Sequence, residues 1–485
     1  MRALGQGRPL HMIRRAVLAA FVAALPASAQ TKSLDSVSHW VDSIFAPYAT
    51  ARTPGCAVGV IQKGSLVLNR GYGMADLEHD TPITRETRFY IASLSKQFTA
   101  MAVVLLAHDG KLTLDDPLRK WVPEIPEFAK AITLRHLLYH TSGLRDYFTL
   151  LAVSGWPSDG QLTERQFLEL IGRQKGLNFQ PGEEFLYSNT GYVLLSIVVR
   201  RASTMPLREF ASERIFKPLG MTHTEFRDDH TALIPQRAIG YQPAGSTYRI
   251  SQPEFDVVGD GGMYSTVEDL VKWDANFETG WVGDRDGIAQ LELPGKLNDG
   301  QKIPYALAQA IGTFHGLKTF SHGGAYGGYR STLTRFPDKG MSVITLCNTA
   351  AAPSTLAEQV ARVYLGIAAE KANVSTIDLS ATLMTSGASQ APHDSTSARQ
   401  RNDRLVPLAG TYYSDELEMD IKVAPREGIL VLSRPRSSEL RFIPLTEDMF
   451  TNSDRMILRV VREKGVVTGF TLTVNRVRDL EFVKK

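Results

Sequence analysis

The order of strand and helix patterns is the feature that most constrains the fold of this chain. Short apolar runs typical of strands occur near the start, at 58–61 and 65–68, and return at 331–336 and 341–346. Helical periodicity dominates the residues between them, as over 95–109, which ends at a glycine. Both ends of this region are therefore predicted to share one sheet within α and β layers, without regular βαβ repeats.

The first thirty residues have the pattern of an export signal. Residues 1–29 contain four arginines and no acidic residue, with an apolar run at 16–25 and an Ala-Ser-Ala end. This combination is typical of a secretory signal peptide. The apolar run is shorter than the roughly 20 residues that span a bilayer, so no stable membrane anchor is predicted. We expect an exported protein, periplasmic or secreted.

The charge balance changes when this segment is removed. The whole chain has 54 basic and 51 acidic residues and a formal net charge of +3. Without the four arginines of the segment, 50 basic residues remain against 51 acidic ones, and the overall bias toward polyanions disappears. Basic residues also form no long run, so no nucleic-acid partner is predicted.

A change of composition separates two predicted domains. Residues 374–404 are rich in Ser, Thr, Ala, Gln and Asn and show little periodicity, which predicts a linker. Residues 405–485 contain short strand patterns roughly 8–12 residues apart, typical of a small all-β sandwich or barrel. The first domain accordingly covers residues 30–373.

The two cysteines, Cys56 and Cys347, lie in apolar, strand-like segments. An exported protein can form a disulfide, but two cysteines do not make a disulfide framework. The sequence therefore favours two buried thiols that pack as small hydrophobic side chains, and a disulfide between them is the alternative.

The sharpest chemical signal is the sequence Ser-Leu-Ser-Lys at 93–96, an S-x-x-K motif where a helix is predicted to begin. A spacing of three residues puts Ser93 and Lys96 on one helix face, one turn apart. A serine hydroxyl needs a neighbouring base to become a nucleophile, and a desolvated lysine can lose its proton and serve. Alone, the motif also fits a helix cap beside a solvated lysine.

A second polar segment lies about 90 residues further along, at Tyr187-Ser188-Asn189. The phenol of Tyr187 can act as a general base if a nearby cation keeps it partly ionised. The amide of Asn189 can contact both Lys96 and a substrate carbonyl. A tyrosine packed in the core is the alternative explanation for Tyr187.

The third segment is glycine-rich and contains His322, Gly323, Gly324 and Ala325. Glycines allow a backbone to approach a ligand closely, and a strand edge here can offer an N–H group to an oxyanion. Taken singly, this segment also fits a glycine-rich bend in a strand.

Competing catalytic patterns are missing from the sequence, which contains no G-x-S-x-G elbow, P-loop or dinucleotide fingerprint. His136 and His140 have the spacing of metal ligands on a helix, but Leu137 stands where a zinc protease has glutamate. Both histidines are expected to pack or cap, and neither a metal nor a cofactor is predicted.

Together the three motifs resemble the serine β-lactamase and penicillin-binding-protein-like hydrolases, in the branch of class C β-lactamases, D-peptidases and esterases. The resemblance runs from about Trp40 to Leu365 and includes residues 137–144, 218–221 and 261–266. It implies a mixed α/β (α+β) fold with an antiparallel sheet flanked by helices and an all-helical region. The residues after 405 are more loosely similar to lipocalin-like barrels.

The resemblance also implies a role for each motif residue. Ser93 would be the acylated nucleophile, and Lys96 and Tyr187 would move its proton as a coupled pair, with the identity of the base unsettled. Asn189 would contact the substrate and the lysine. The backbone N–H groups of Ser93 and Ala325 would form the oxyanion hole.

One departure from the family pattern concerns substrate recognition. Many members carry Lys-Thr-Gly where this chain has His322-Gly323-Gly324. A histidine is mostly neutral at neutral pH, so recognition of a substrate carboxylate should be weaker or depend on another cation. Some D-peptidases of the family also have histidine here. We expect His322 to line the pocket and its protonation to modulate turnover.

The sequence thus predicts an exported serine hydrolase that cleaves an amide or ester through an acyl-enzyme on Ser93. D-amino-acid peptides derived from the cell wall, small esters and β-lactams are the candidate substrates, in that order. A penicillin-binding-like receptor or scaffold that hardly turns over is the alternative. The small all-β domain could gate the site, bind cell-wall material, form oligomers or only stabilise the protein.

Overall fold

The computed structural model describes residues 34–157, 160–367, 398–435 and 437–485. The predicted signal peptide at 1–29 lies outside these ranges, as do residues 374–397 of the predicted linker. The end of that segment, at 398–404, belongs to a helix. Among the helices in the described ranges, none is long and apolar enough to cross a bilayer.

The strands of the first domain are mostly short, and the longer ones lie near its two ends. In chain order they are β1 Cys56–Gln62, β2 Ser65–Tyr72, β3 Met74–Asp76, β4 Thr81–Pro82, β5 Phe89–Tyr90, β6 Glu225–Phe226, β7 Tyr241–Ala244, β8 Thr247–Ile250, β9 Met263–Ser265, β10 Tyr305–Ala306, β11 Gln309–Phe314, β12 Leu317–Tyr326, β13 Tyr329–Phe336 and β14 Met341–Cys347.

Helices occupy most of the chain between these strands. They are α1 Leu34–Phe45, α2 Lys96–His108, α3 Leu118–Trp121, α4 Leu134–Leu138, α5 Tyr147–Ser154, α6 Glu164–Gly172, α7 Asn189–Ser203, α8 Leu207–Ala211, α9 Lys217–Leu219, α10 Val267–Thr279, α11 Asp284–Glu292 and α12 Pro353–Leu365.

The central sheet has seven antiparallel strands in the order β10-β11-β12-β13-β14-β1-β2. Strand β1 from the start of the domain pairs with β14 from its end, from Cys56 opposite Cys347 to Gln62 opposite Met341. The predicted sharing of one sheet by the two ends, with helices around it, is therefore confirmed.

Apolar side chains cover both faces of this sheet. Val58 and Val60 of β1 belong to a cluster with Phe45 of α1 and Val360 of α12. Ala57, on the opposite face because side chains alternate along a strand, belongs to the larger core that contains α2 and α10. The sheet is thus a layer between two sets of helices.

Helix α2, which begins at the lysine of the S-x-x-K motif, is buried over most of its length. Every residue from Lys96 to Leu106 is buried, and the ring of Phe98 packs 4.5 Å from that of Trp273 on α10, measured between centroids. A helix that is buried on all sides belongs to a protein core. Its first residue, Lys96, is consequently carried into the interior.

The two cysteines form a disulfide, so the expectation of separate buried thiols is wrong. Cys56 opens β1 and Cys347 closes β14, and the antiparallel register places them directly opposite each other with a Cα–Cα distance of 4.0 Å. The residues are 291 positions apart in sequence. Local composition could not reveal this pairing, because it is set by the register of two distant strands.

The C-terminal residues form a closed antiparallel barrel of eight strands, which confirms the predicted small all-β domain. It follows helix α13, Ala398–Leu405. Its strands are β15 Gly410–Ser414, β16 Met419–Arg426, β17 Ile429–Ser433, β18 Leu440–Pro444, β19 Met449–Thr451, β20 Ile457–Glu463, β21 Val466–Val474 and β22 Val477–Lys484. Buried aliphatic and aromatic side chains, among them Ile421, Phe442 and Phe470, pack in the core cluster.

The disulfide should contribute measurably to stability. Because it links strands from the two ends of the first domain, its loss is expected to lower the free energy of unfolding by about 2–5 kcal/mol. Thermal unfolding of the wild type with and without a reductant measures this effect. The Cys56→Ala/Cys347→Ala variant is the control and should melt at the reduced protein's temperature under both conditions. A wild-type melting temperature that is the same with and without the reductant would contradict the pairing.

Candidate active site

Ser93 lies in a single helical turn, Ala92–Ser95, directly before α2. The other three residues of the turn are buried, whereas Ser93 is partly exposed. Ala92 has a φ of 47°, a left-handed conformation that costs a non-glycine residue about 1–3 kcal/mol and is concentrated at functional sites. The turn therefore presents one hydroxyl at the edge of the core.

The amine of Lys96 is fully buried and has three polar neighbours. Its Nζ lies 3.0 Å from Oγ of Ser93, 2.8 Å from Oδ1 of Asn189 and 2.6 Å from the carbonyl oxygen of Asp260. An ammonium would donate to all three oxygens, while a neutral amine would direct its lone pair at the hydroxyl proton of Ser93. The predicted proximity of Ser93 and Lys96 is present.

Burial and neighbouring charges act on Lys96 in opposite directions. Burial lowers the pKa of Lys96, because desolvation penalises the ammonium, while the carboxylate of Asp260 raises it and the guanidinium of Arg476 lowers it. Burial likewise raises the pKa of Asp260, whose Oδ2 accepts a hydrogen bond from Tyr147 at 3.0 Å. The lysine is therefore poised to exchange a proton with its surroundings.

Tyr187 lies two residues before α7 and is buried beside the same amine. Nζ of Lys96 is 5.0 Å from the centroid of its ring, and the ring of His140 packs at a centroid distance of 4.1 Å. The hydroxyl is buried and has no hydrogen-bond partner within the described ranges. Burial raises the pKa of Tyr187, and Ser93 and Arg476 partly oppose this effect.

Asn189 opens α7 and is held from both ends. Its backbone N–H donates to Oδ2 of Asp146 at 2.7 Å, while its side-chain Oδ1 accepts from Lys96. Asp146 also accepts from the N–H of Thr149 at 3.1 Å and so caps α5. One carboxylate therefore fixes the starts of two helices and orients the amide.

His322 belongs to a chain of hydrogen bonds that settles its tautomer. The N–H of Ser188 donates to Nδ1 of His140 at 3.2 Å, so Nε2 of His140 carries the proton and donates to Tyr305 at 3.2 Å. Tyr305 then donates to Nε2 of His322 at 3.0 Å, and Nδ1 of His322 donates to the carbonyl oxygen of Gly323 at 2.6 Å. When both histidines are neutral, each hydrogen bond in this chain has one defined donor and one defined acceptor.

The expectation that protonation of His322 modulates turnover stays a prediction. Burial, together with the nearby charge of Lys96, lowers the pKa of His322 to about 3. Burial therefore favours the neutral imidazole, which argues against such modulation near neutral pH. His322 lies beside Tyr187, with the two ring centroids 6.1 Å apart, and offers one donor and one acceptor.

The glycine-rich segment lies on the edge of β12 that faces the Ser93 turn. Strand β12 pairs with β11 only as far as Ser321, so the following residues border the turn instead. A side chain at Gly324 would place a Cβ 2.2 Å from the carbonyl oxygen of Ile91 and 3.0 Å from the amide nitrogen of Ser93. Only glycine permits this approach. Ala325 is the next residue in sequence and lies on the same part of β12.

Sequence reasoning missed three charged residues of the site. Asp146 caps a helix, Asp260 directly precedes the motif at 261–266, and Arg476 lies in the C-terminal barrel. Position beside that motif could have indicated Asp260. Nothing local in the sequence marks Arg476. The expectation for His136 agrees with the structure, since its side chain completes the capping box of α4.

Comparison with known proteins adds a family and a fold. The Beta-lactamase family model matches residues 41–365. A D-aminopeptidase of Brucella anthropi is 32% identical over 322 residues, which are 66% of this chain and 60% of that protein. A D-aminopeptidase of Gluconobacter oxydans (strain 621H) is 28% identical over 317 residues, 65% of this chain and 59% of that protein.

The chain therefore spans about 60% of the length of these curated relatives. Among solved structures, the octameric penicillin-binding protein homologue from Pyrococcus abyssi superposes with a TM-score of 0.60 at 24% identity. That match covers 93% of this chain and 100% of the other, so the fold similarity extends over both domains.

The neutral state of His322 makes a prediction about stability. In the unfolded chain a histidine has a pKa of about 6.5, so between pH 6.5 and 3 the unfolded state binds a proton that the folded state does not. The free energy of unfolding should consequently fall with falling pH, by about 1 kcal/mol per pH unit from this residue. Urea unfolding at several pH values measures the slope.

The His322→Gln variant should lose this share of the slope while keeping the rest. Tyr305→Phe, which removes the hydrogen bond to His322 and leaves the imidazole in place, separates the effect of the imidazole from that of its partner. Equal slopes in the wild type and His322→Gln would show that folding does not lower the pKa of His322, which would contradict the prediction.

Proposed function

The chain belongs to the beta-lactamase family, and on that premise we propose that it is a serine hydrolase that forms an acyl-enzyme on Ser93. One observation carries the proposal: the buried Nζ of Lys96 lies 3.0 Å from Oγ of Ser93. A hydroxyl in contact with a desolvated amine is the arrangement that activates a serine. The relatives named D-aminopeptidase support the same class of reaction.

In the first step, Oγ of Ser93 forms a bond to the carbonyl carbon of an amide or ester while its proton passes to the pair Lys96 and Tyr187. The carbonyl oxygen becomes negative and accepts hydrogen bonds from the N–H groups of Ser93 and Ala325. The C–N or C–O bond then breaks, and the pair returns the proton to the leaving amine or alcohol. Water finally hydrolyses the ester on Ser93.

We assign Lys96 and Tyr187 as one coupled base rather than choosing between them. Lys96 contacts Ser93 directly. The ring of Tyr187 packs beside the amine, and we propose that its hydroxyl relays the proton to the leaving group. Nζ lies 5.0 Å from the ring centroid, so the charge state of one group affects the other. Asn189 holds the amine and contacts the substrate carbonyl.

The D-aminopeptidase relatives and the uncharged side chain of His322 support a proposal about the substrate class. We propose D-aminoacyl amides and peptides first, small esters second and β-lactams third. The histidine at 322 lacks the fixed charge that a lysine would offer to a substrate carboxylate, which weighs against efficient β-lactam hydrolysis. Cell-wall peptides are the proposed natural source of such substrates.

Export is the proposed localisation. The basic, then apolar, pattern of residues 1–29 and the disulfide Cys56–Cys347 both support it, because disulfides persist mainly in oxidising compartments. Oligomer formation is also a proposal, supported by the description of the Pyrococcus abyssi homologue as octameric, and we propose the C-terminal barrel as the contact.

A fluorophosphonate probe tests the acyl-enzyme directly. Ser93 should displace fluoride and gain one phosphonate, visible by intact mass, whereas Ser93→Ala should gain none. Ser95→Ala is the matched control, since Ser95 lies in the same turn but its hydroxyl donates to the carbonyl oxygen of Ala92. Lys96→Met should slow labelling at least about 100-fold, the lower range of base catalysis.

Unlabelled wild-type enzyme should hydrolyse D-alanine p-nitroanilide faster than the L enantiomer, with nitrocefin slowest, and the phosphonate-labelled enzyme should hydrolyse none of them. A wild type that takes up no phosphonate, or a Ser93→Ala variant that still does, would contradict the acyl-enzyme. Stoichiometric labelling without turnover of any of these substrates would instead support a receptor.

A further inference from the structure

A hairpin of the C-terminal barrel lies directly against the active site. Strands β21 and β22 are joined at Val474 and Val477, leaving Asn475 and Arg476 at the tip. The carbonyl oxygen of Arg476 accepts hydrogen bonds from the N–H of Asp146 at 3.3 Å and from Nδ2 of Asn178 at 2.9 Å. The tip is therefore bound by residues of the first domain.

The flanks of the hairpin are anchored as well. Arg145 of the first domain forms a buried ion pair with Glu416 of the barrel and donates to the carbonyl oxygen of Arg478 at 2.8 Å. Arg478 in turn forms two hydrogen bonds with the carboxylate of Glu184, at 2.8 and 2.9 Å. Breaking a buried ion pair leaves an uncompensated charge, so these contacts resist separation of the hairpin from the first domain.

The side chain of Arg476 is buried, with 5% of its surface exposed. Its guanidinium carbon lies 4.7 Å from the ring centroid of Tyr187, and Nη1 lies 3.8 Å from Oδ2 of Asp146. A guanidinium over an aromatic face is attracted by the ring, more strongly when water is excluded. The barrel thus places a desolvated positive charge on the ring of a predicted base.

We propose that the barrel completes the active site by supplying Arg476 as a positioning residue, which packs on Tyr187 and places a fixed positive charge beside Tyr187 and Lys96. The inference rests on the proposed function, since it concerns the pair that deprotonates Ser93. In this arrangement the first domain alone lacks part of its electrostatic environment.

Charged groups reach this cluster from four different elements. Lys96 comes from α2, Asp146 from the start of α5, Asp260 from the loop before β9, and Arg476 from the barrel. Burial lowers the pKa of Lys96, Asp260 raises it, Arg476 lowers it and Asp146 raises it. Of the three charged groups around Lys96, Arg476 is therefore the one that favours the neutral amine.

Arg476 also lowers the pKa of the phenol of Tyr187. Burial raises the pKa of Tyr187, while Ser93 and Arg476 lower it and the carboxylates of Asp260 and Asp146 raise it. A positive charge here favours both the neutral amine and the phenolate, which are the forms that accept a proton. The consequence is the same whichever member of the pair takes the proton from Ser93.

Two histidines and three tyrosines around the cluster are uncharged, because burial disfavours their charged forms. His140 and His322 have a pKa lowered chiefly by burial, so both are neutral imidazoles. Tyr147, Tyr192 and Tyr305 have a pKa raised chiefly by burial, so they are neutral phenols. None of these groups can replace the charge of Arg476.

The test measures the pH dependence of Ser93 acylation with p-nitrophenyl acetate, a substrate without a carboxylate. Arg476→Met removes the charge and keeps the length, so both base pKa values should rise and the acid limb should move upward by about one pH unit. On that limb the rate should be about tenfold lower than in the wild type. Arg476→Lys keeps the positive charge, so its acid limb should lie close to that of the wild type.

Arg478→Met is the matched control from the same hairpin, because it breaks the surface contact with Glu184 and leaves Arg476 in place. Its acid limb should coincide with that of the wild type. Arg476→Gln serves as a second neutral variant, and circular dichroism with thermal unfolding confirms that each variant is folded before its profile is compared.

An unshifted acid limb in folded Arg476→Met and Arg476→Gln would overturn the inference. An effect seen only with nitrocefin, which carries a carboxylate, would overturn it too, because Arg476 would then bind substrate instead of positioning the base. Absence of any Ser93 adduct in the wild type overturns the proposed function and this inference together, whereas normal labelling with an unshifted limb overturns only the role of Arg476.

Discussion

The burial of one amine organises this molecule. Lys96 is the first residue of a helix that is buried on all sides, and its three nearest oxygens come from the turn before that helix, from the start of α7 and from the loop before β9. An unpartnered ammonium in a protein interior is very costly. Ser93, Asn189 and Asp260 must therefore meet at one point, and that point is the candidate active site.

The same electrostatic requirement extends into the second domain. The barrel is not tethered at a distance, because Glu416 pairs with Arg145 inside the interface and Arg476 reaches the ring of Tyr187. Asp146 connects the two domains. It caps α5, accepts a hydrogen bond from the N–H of Asn189 and lies near the guanidinium of Arg476. Hydrolase domain and barrel therefore share one polar centre.

The sequence predicts those parts of the site that depend on local spacing. Ser93 and Lys96 are three residues apart where a helix begins, so their contact follows from helix geometry alone. Tyr187 and Asn189 could be assigned only through the family resemblance, because nothing local shows that α7 meets α2. Helices and strands with clear periodicity, including both ends of the central sheet, were predictable for the same local reason.

The rest depends on contacts between distant segments, which local patterns do not encode. The pairing of Cys56 with Cys347 needs the register of β1 against β14. The lowered pKa of His322 needs its burial in the folded core and the nearby amine of Lys96. Arg476 is a single turn residue between two strands, and only docking of the barrel places its charge beside Tyr187.

The pKa of Lys96 tests the central claim most directly. Protein labelled with 13C at the lysine Cε positions can be titrated by NMR, with the Lys96 signal assigned by its loss in Lys96→Arg. Because burial outweighs its partners, Lys96 should titrate well below the ordinary lysine value of about 10.4. A Lys96 signal that titrates together with the surface lysines would contradict the account.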